Sequence, residues 1–163
     1  MPKEIVYSEE LRRKIQTGVD QVANAVKATL GPKGSSAVIP GSSGNPLVTK
    51  DGVAIAEQIN LENPVENLGA RLIREAILKT KNDAGDGTST AAVLAQAILQ
   101  EGFKNLAAGA NAVELKTGIQ GASQLAAAAV RKLAKPLETR EAASQVAATE
   151  SGETEIGEMI AEA

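Results

Sequence analysis

Lys81-Asn82-Asp83-Ala84-Gly85-Asp86-Gly87-Thr88-Ser89-Thr90 decides the reading of this chain, because it has the form of a phosphate-binding turn that opens onto a helix. Upstream, Val65, Leu68, Leu72, Ile73, Ala76 and Ile77 recur at three and four, a helical period. Downstream, Ala91 to Leu99 is apolar and rich in strong helix formers. Two helices therefore meet at a glycine-rich corner. Gly85 and Gly87 let the backbone take left-handed angles and approach a ligand closely, while the free N–H groups and dipole of the following helix favour an anion. Asp86 in the middle would repel a bare phosphate, and a bound Mg2+ removes that conflict by bridging carboxylate and phosphate oxygens. The hydroxyls of Thr88, Ser89 and Thr90 can donate to phosphate oxygens from the first helical turn. The same residues also read as a plain helix-to-helix turn with Asp86 as N-cap, which needs no ligand.

Composition narrows the chemistry. The 163 residues allow one ordinary domain, or one domain and part of another, with a net charge of -3. There is no cysteine and no histidine, which excludes disulfides, ordinary zinc sites, thiol nucleophiles and imidazole acid-base catalysis. Carboxylates, lysines, hydroxyls and backbone amides are left, an inventory suited to phosphoryl transfer, where the protein mainly positions groups and stabilises charge. Nucleic acid is not an expected partner: the chain has no basic run, and Tyr7 and Phe103 are its only aromatic residues. No segment approaches the about 18 apolar residues of a membrane span, and Met-Pro-Lys-Glu is not the start of a signal peptide, so a cytoplasmic setting without membrane attachment is expected.

Working outward, residues 3–7 read as a short strand-like piece before Ser8, a helix cap followed by Glu9 and Glu10. Leu11, Ile15, Val19, Val22 and Val26 mark one face of a helix of about 20 residues that Gly31-Pro32 stops. Ser36–Ile39 and Leu47–Thr49 read as strands joined by a hairpin loop over residues 40–46. Lys50-Asp51-Gly52 then leads into a short helix through Val53, Ile55, Ala56 and Ile59; Lys50-Asp51 is either a site pair or an ordinary exposed turn. Asn63-Pro64-Val65-Glu66 is a well-formed helix start, and its helix runs to about Asn82. The next helix, about 88–108, is apolar on several sides and is expected at the centre of the fold. Asn111 caps a further helix whose seam, Leu115, Ile119, Ala122, Ala126, Ala129 and Leu133, is expected to pack on another helix before Pro136 ends it. Two acidic helical pieces, about 140–149 and 153–163, follow, and they look like the start of a second unit. The fold class is mainly α: a bundle of long helices with a small β-hairpin.

With these turns in place, the chain resembles the group I chaperonins, the GroEL type, over essentially its whole length. The resemblance is carried by Thr29-Leu30-Gly31-Pro32-Lys33-Gly34, Thr49-Lys50-Asp51-Gly52-Val53, Glu66-Asn67-Leu68-Gly69-Ala70 and Gly85-Asp86-Gly87-Thr88-Ser89-Thr90, in family order and spacing. Val93-Leu94-Ala95-Gln96-Ala97-Ile98 and Glu101-Gly102 follow in register. It implies an incomplete equatorial ATP-binding domain over residues 1–134 and the first segment of an intermediate domain over 135–163. It also implies that Thr29, Leu30, Gly31 and Pro32 line the nucleotide, that Lys50 approaches the phosphates, and that Gly87, Thr88, Ser89 and Thr90 wrap them. Asp86 would hold Mg2+ and Asp51 would stand near the attacking water. Thr29 and the Lys50 backbone would serve a monovalent cation such as K+.

The sequence departs from the family in three places. Ser89 stands where the family usually has Thr; Pro40-Gly41 replaces a charged pair in the hairpin, which in the family pairs with a neighbouring subunit; and residues 147–152 match poorly. The family chain is considerably longer, with an apical domain, a returning intermediate strip that brings a hydrolytic Asp, and a second half of the equatorial domain. The expected function is therefore that of an ATP-dependent chaperone acting in protein folding, assembled with other subunits in a ring, with a GroES-like co-chaperonin and with unfolded proteins held by another domain. Efficient ATP hydrolysis by this chain alone is not expected without the second carboxylate. The alternative is a helical interaction or scaffold module of chaperonin ancestry that binds no nucleotide. A P-loop NTPase is set aside, since no G-x-x-x-x-G-K-[ST] occurs and the glycine turn joins helix to helix.

Overall fold

The computed structural model describes residues 5, 7–41 and 44–163. The strand-like piece expected at 3–7 falls largely outside the described residues, as do Ser42 and Ser43 of the expected hairpin loop; Ile5 and Tyr7 lie in no strand. Seven helices and one hairpin are present among the described residues: α1 (Ser8–Lys27), β1 (Ala37–Pro40), β2 (Pro46–Thr49), α2 (Gly52–Gln58), α3 (Pro64–Ala84), α4 (Thr88–Ala107), α5 (Ala112–Leu133), α6 (Arg140–Ser151) and α7 (Thr154–Glu162). The mainly α class with a small hairpin is what the sequence leads one to expect. The chain forms two compact units, one through Leu115 and one from Lys116 to Ala163.

In the first unit the apolar stripe of α1 becomes the core. Val19, Val22, Ala23 and Val26 are fully buried, and they meet Val53, Ile55 and Ala56 of α2, Ala70, Ile73 and Ile77 of α3, and Ala92 of α4. Each such valine or isoleucine contributes about 1.5–3 kcal/mol by leaving water. The tightest contact is between α1 and α3. A Cβ on Gly18 would lie 1.8 Å from the Glu66 carbonyl oxygen, and one on Gly69 would lie 2.1 Å from that of Ile15. Those two glycines let the helix backbones touch.

Polar groups fix the remaining orientations. Asn63 caps α3 by accepting from Val65 N and Glu66 N, with Pro64 in the first turn. Arg74 of α3 donates Nε to the Ala56 carbonyl at 3.0 Å and Nη2 to that of Ile59, satisfying orphan acceptors at the end of α2. Between α1 and α4, the buried Gln96 donates Nε2 to Asp20 Oδ1 at 2.7 Å and to Asn24 Oδ1 at 3.2 Å, and accepts from Lys27 Nζ at 3.3 Å. Gln100 donates to the same Asp20 oxygen at 2.9 Å.

The hairpin is antiparallel, with Ala37 opposite Thr49, Val38 opposite Val48, Ile39 opposite Leu47 and Pro40 opposite Pro46. Ala37 and Ile39 pack toward the core, whereas Val38 and Val48 face outward and are exposed.

Three local expectations are corrected. Ser8 does not cap α1: Tyr7 holds the cap position without a side-chain hydrogen bond, and Ser8 lies inside the helix at φ 58°. Helix α4 is not central, since it buries only Ala92 and Gln96 while Leu94 and Ile98 are exposed. The α5 seam is open as well; no residue of α5 is buried, although Asn111 caps it as expected through Val113 N at 2.8 Å and Glu114 N at 3.3 Å. An apolar period says which face of a helix avoids water, and among the described residues no residue of α5 is buried.

In the second unit α6 and α7 pack on each other. Gly157 is buried, and a Cβ there would lie 2.6 Å from the Ser144 carbonyl oxygen and 2.7 Å from Ala148 Cβ. Thr139 caps α6 through Ala142 N at 3.2 Å, and Gly152 ends it in the left-handed conformation.

Candidate functional site

Three helix termini meet at one corner of the first unit. The C-terminus of α1 leads into the Thr29 turn, the N-terminus of α2 carries Lys50-Asp51-Gly52, and the N-terminus of α4 follows Gly85-Asp86-Gly87. The contact that joins them is at Gly52, which is buried. A Cβ on this residue would lie 2.9 Å from Ser89 Oγ, 2.9 Å from Val26 Cγ1 and 3.5 Å from Thr88 Oγ1. Residues separated by tens of positions in sequence thus share one small space.

The α3–α4 corner has the backbone that its glycines require. Gly85 closes α3 at φ 78° with its N–H on the Lys81 carbonyl, and Gly87 opens α4 at φ 81°. An L-residue at either position would be strained. Asp86 is not the N-cap of α4, because Gly87 occupies that place without a side-chain hydrogen bond; Asp86 Oδ1 instead accepts from the Gly87 N–H. The Asp86 side chain is thus turned back on its own turn, on an exposed residue. Thr88 and Ser89 are half-buried and Thr90 is exposed, and no hydrogen bond joins their hydroxyls to another described residue. Donors at a helix N-terminus that no described residue uses are suited to an anion.

Asp51 is the N-cap of α2. Its Oδ1 accepts from Val53 N at 2.9 Å, and its own N–H donates to Thr49 Oγ1 at 3.0 Å. The cap uses one carboxylate oxygen, and the residue as a whole is exposed, as is Lys50. On the α1 side Thr29 is buried and donates its hydroxyl to the Val26 carbonyl at 2.7 Å. Gly31, at φ 80°, and Pro32 continue the turn in exposed positions, and Leu30 is 46% exposed. Gly34 folds back over the turn, its N–H on the Gly31 carbonyl at 2.9 Å.

Among the described residues no three carboxylates lie close enough to hold a metal ion by themselves. Such a cage is not what Mg2+ needs with a nucleotide: one or two carboxylates together with phosphate oxygens and water suffice. A lone Asp86 beside a helix N-terminus fits that donor set. Sequence reasoning found Gly52 within Thr49-Lys50-Asp51-Gly52-Val53 but gave it no place against Ser89 and Val26, a contact set by partners far away in sequence. No helix among the described residues is long and apolar enough to cross a membrane.

Among the described residues the first unit is helical with one hairpin. The chain belongs to the TCP-1/cpn60 chaperonin family, whose profile matches residues 22–163. Among solved structures it is similar to a group III chaperonin in the open state, with 27% sequence identity and a TM-score of 0.75 over 94% of this chain. The chain spans 31% of that protein's length.

Proposed function

We propose that this chain is an N-terminal portion of a group I type chaperonin subunit and that it binds Mg-ATP at the corner where α1, α2 and α4 meet. The observation that carries this reading is the packing of Gly52 against Ser89, Thr88 and Val26, which puts the Asp51 turn, the glycine turn and the end of α1 side by side. Asp86 would offer its carboxylate to Mg2+, which neutralises phosphate charge when bound. Gly87, Thr88, Ser89 and Thr90 would donate to phosphate oxygens, with Lys50 adding positive charge. Thr29, Leu30, Gly31 and Pro32 would line the nucleotide, and Thr29 with the Lys50 carbonyl would serve K+. Asp51 would orient the attacking water, its cap bond holding the carboxylate in place.

The division into an equatorial part, 1–134, and an intermediate part, 135–163, belongs to this proposal. So do assembly with other subunits into a ring, a GroES-like co-chaperonin, unfolded proteins as clients held elsewhere in the subunit, and a cytoplasmic location. Turnover would need groups beyond this chain, so binding is the activity to measure on it.

Mg-ATP titration followed by thermal unfolding tests the reading. At a hundred times Kd the ligand adds about 2.7 kcal/mol, which for a chain of this size raises Tm by about 8 °C. Asp86→Ala is expected to remove that shift. Asp51→Asn, which keeps an N-cap but not the charge, is expected to retain it and to slow hydrolysis in an assembled subunit. Absence of any shift in the unmodified chain overturns the reading in favour of a helical scaffold that binds no nucleotide, to which the open face of α5 lends support.

A further inference from the structure

We propose that Gly52 is a positioning residue that couples the hydroxyls of the α4 N-terminus to the Asp51 turn through its contact with Ser89; the inference rests on the Mg-ATP reading above. Gly52 is the first residue of α2, directly after the Asp51 cap, and it is buried. Its backbone is not in the left-handed region, so conformation alone would admit any side chain. Space is what demands glycine there. Of the three atoms nearest to an added Cβ, Val26 Cγ1 belongs to a fully buried valine that cannot give way, and the other two are the hydroxyls of Ser89 and Thr88. The Ser89 hydroxyl makes no hydrogen bond to another described residue, so it can rotate.

The start of α2 is thus held between a fixed methyl and a movable hydroxyl. When Ser89 turns its Oγ toward a phosphate, the space beside Gly52 changes, and with it the room available to the Asp51 turn. Filling position 52 would push the Ser89 hydroxyl out of its place or displace the Asp51 turn. The first event would be felt at the phosphates through Ser89, and the coupling proposed here is that first event.

A double-mutant cycle on the 163-residue chain tests the coupling, with Kd for Mg-ATP measured by calorimetry in the unmodified protein, Gly52→Ala, Ser89→Ala and the double variant. Gly52→Ala is expected to weaken Mg-ATP by about tenfold, and in the Ser89→Ala background the same substitution is expected to cost less than about threefold. Fully additive effects overturn the proposal, since Gly52 would then act independently of Ser89. Unchanged affinity in Gly52→Ala overturns it too. If the unmodified chain binds no Mg-ATP, the nucleotide reading itself fails; binding with an additive cycle sinks the coupling alone. Should Gly52→Ala not fold, the cycle is run in a Val26→Ala background, which removes the fixed methyl and leaves the Ser89 contact in question, with the same two outcomes.

Discussion

Replacing Gly18 by alanine places a methyl group where the structure has the backbone of a neighbouring helix. The added Cβ would lie 1.8 Å from the Glu66 carbonyl oxygen, 2.7 Å from its carbon and 2.9 Å from Ala70 N, whereas ordinary contact begins at 3.4 Å. None of these atoms can rotate away, so α1 and α3 must part locally by about 1.5 Å. Overpacking of this kind costs about 3 kcal/mol, and the better helix propensity of alanine returns about 1 kcal/mol, leaving a net loss near 2 kcal/mol. In a chain of this length that lowers Tm by about 6 °C. Gly121→Ala is the control: it sits on open α5 with nothing within 4 Å of its Cβ, so only the propensity gain applies. Far-UV circular dichroism against temperature reads both variants. Because α1 leads into the Thr29 turn and α3 into the Gly85–Gly87 turn, Gly18→Ala should also weaken Mg-ATP while Gly121→Ala does not. A Gly18→Ala protein that melts with the unmodified chain would refute the backbone contact.

Gln96→Leu removes the amide that binds Asp20, Asn24 and Lys27, and among the described residues the half-buried Asp20 keeps only Gln100; a loss of about 1–3 kcal/mol in urea unfolding is expected, and a neutral result would mean that the network adds nothing. Arg74→Met keeps the apolar stem but strands the Ala56 and Ile59 carbonyls, so a loss of about 1.5–3 kcal/mol is expected, together with faster amide exchange in α2. Glu10 is held below the usual carboxylate range by its hydrogen bond to Lys14 at 2.9 Å and by the charges of Lys14 and Arg13. A lowered folded-state value means that its small stabilising effect is present above the ordinary glutamate range and is lost as pH falls through the folded value. Carboxyl NMR should show that depression in the unmodified chain and most of it lost in Lys14→Met, where Arg13 alone remains to lower it.

Much of this fold is written in short-range chemistry. The four, four, three, four spacing from Leu11 to Val26 names the buried face of α1, and Asn63-Pro64 names the start of α3 within a residue. The turn glycines were equally plain, since Gly85 and Gly87 are needed for backbone angles that other residues resist. What stayed hidden was anything set by a partner far away in sequence. Nothing in the spacing around Gly18 or Gly69 marks it as the place where a second backbone arrives. Gln96, read from the sequence only as part of residues 93–98, is the buried hub between α1 and α4. In the corner itself, Asp86 as an N-cap was readable as a rival to ligand binding, and only the backbone of Gly87 decides between a cap and a turn. The open faces of α4 and α5 differ from expectation for the same reason, because periodicity carries no information about what covers a stripe.

The hairpin ends in facing prolines, Pro40 opposite Pro46, and neither can donate an amide proton. Any strand that docks along either edge can therefore draw N–H donors only from residues 37–39 or 47–49 of these strands, a run of about 10 Å, and finds only a carbonyl acceptor at the prolines. A tab so short can measure the length of its guest as well as its sequence: a visiting segment reaching the prolines finds no further donor there. Outward-facing Val38 and Val48 would then supply most of the adhesion.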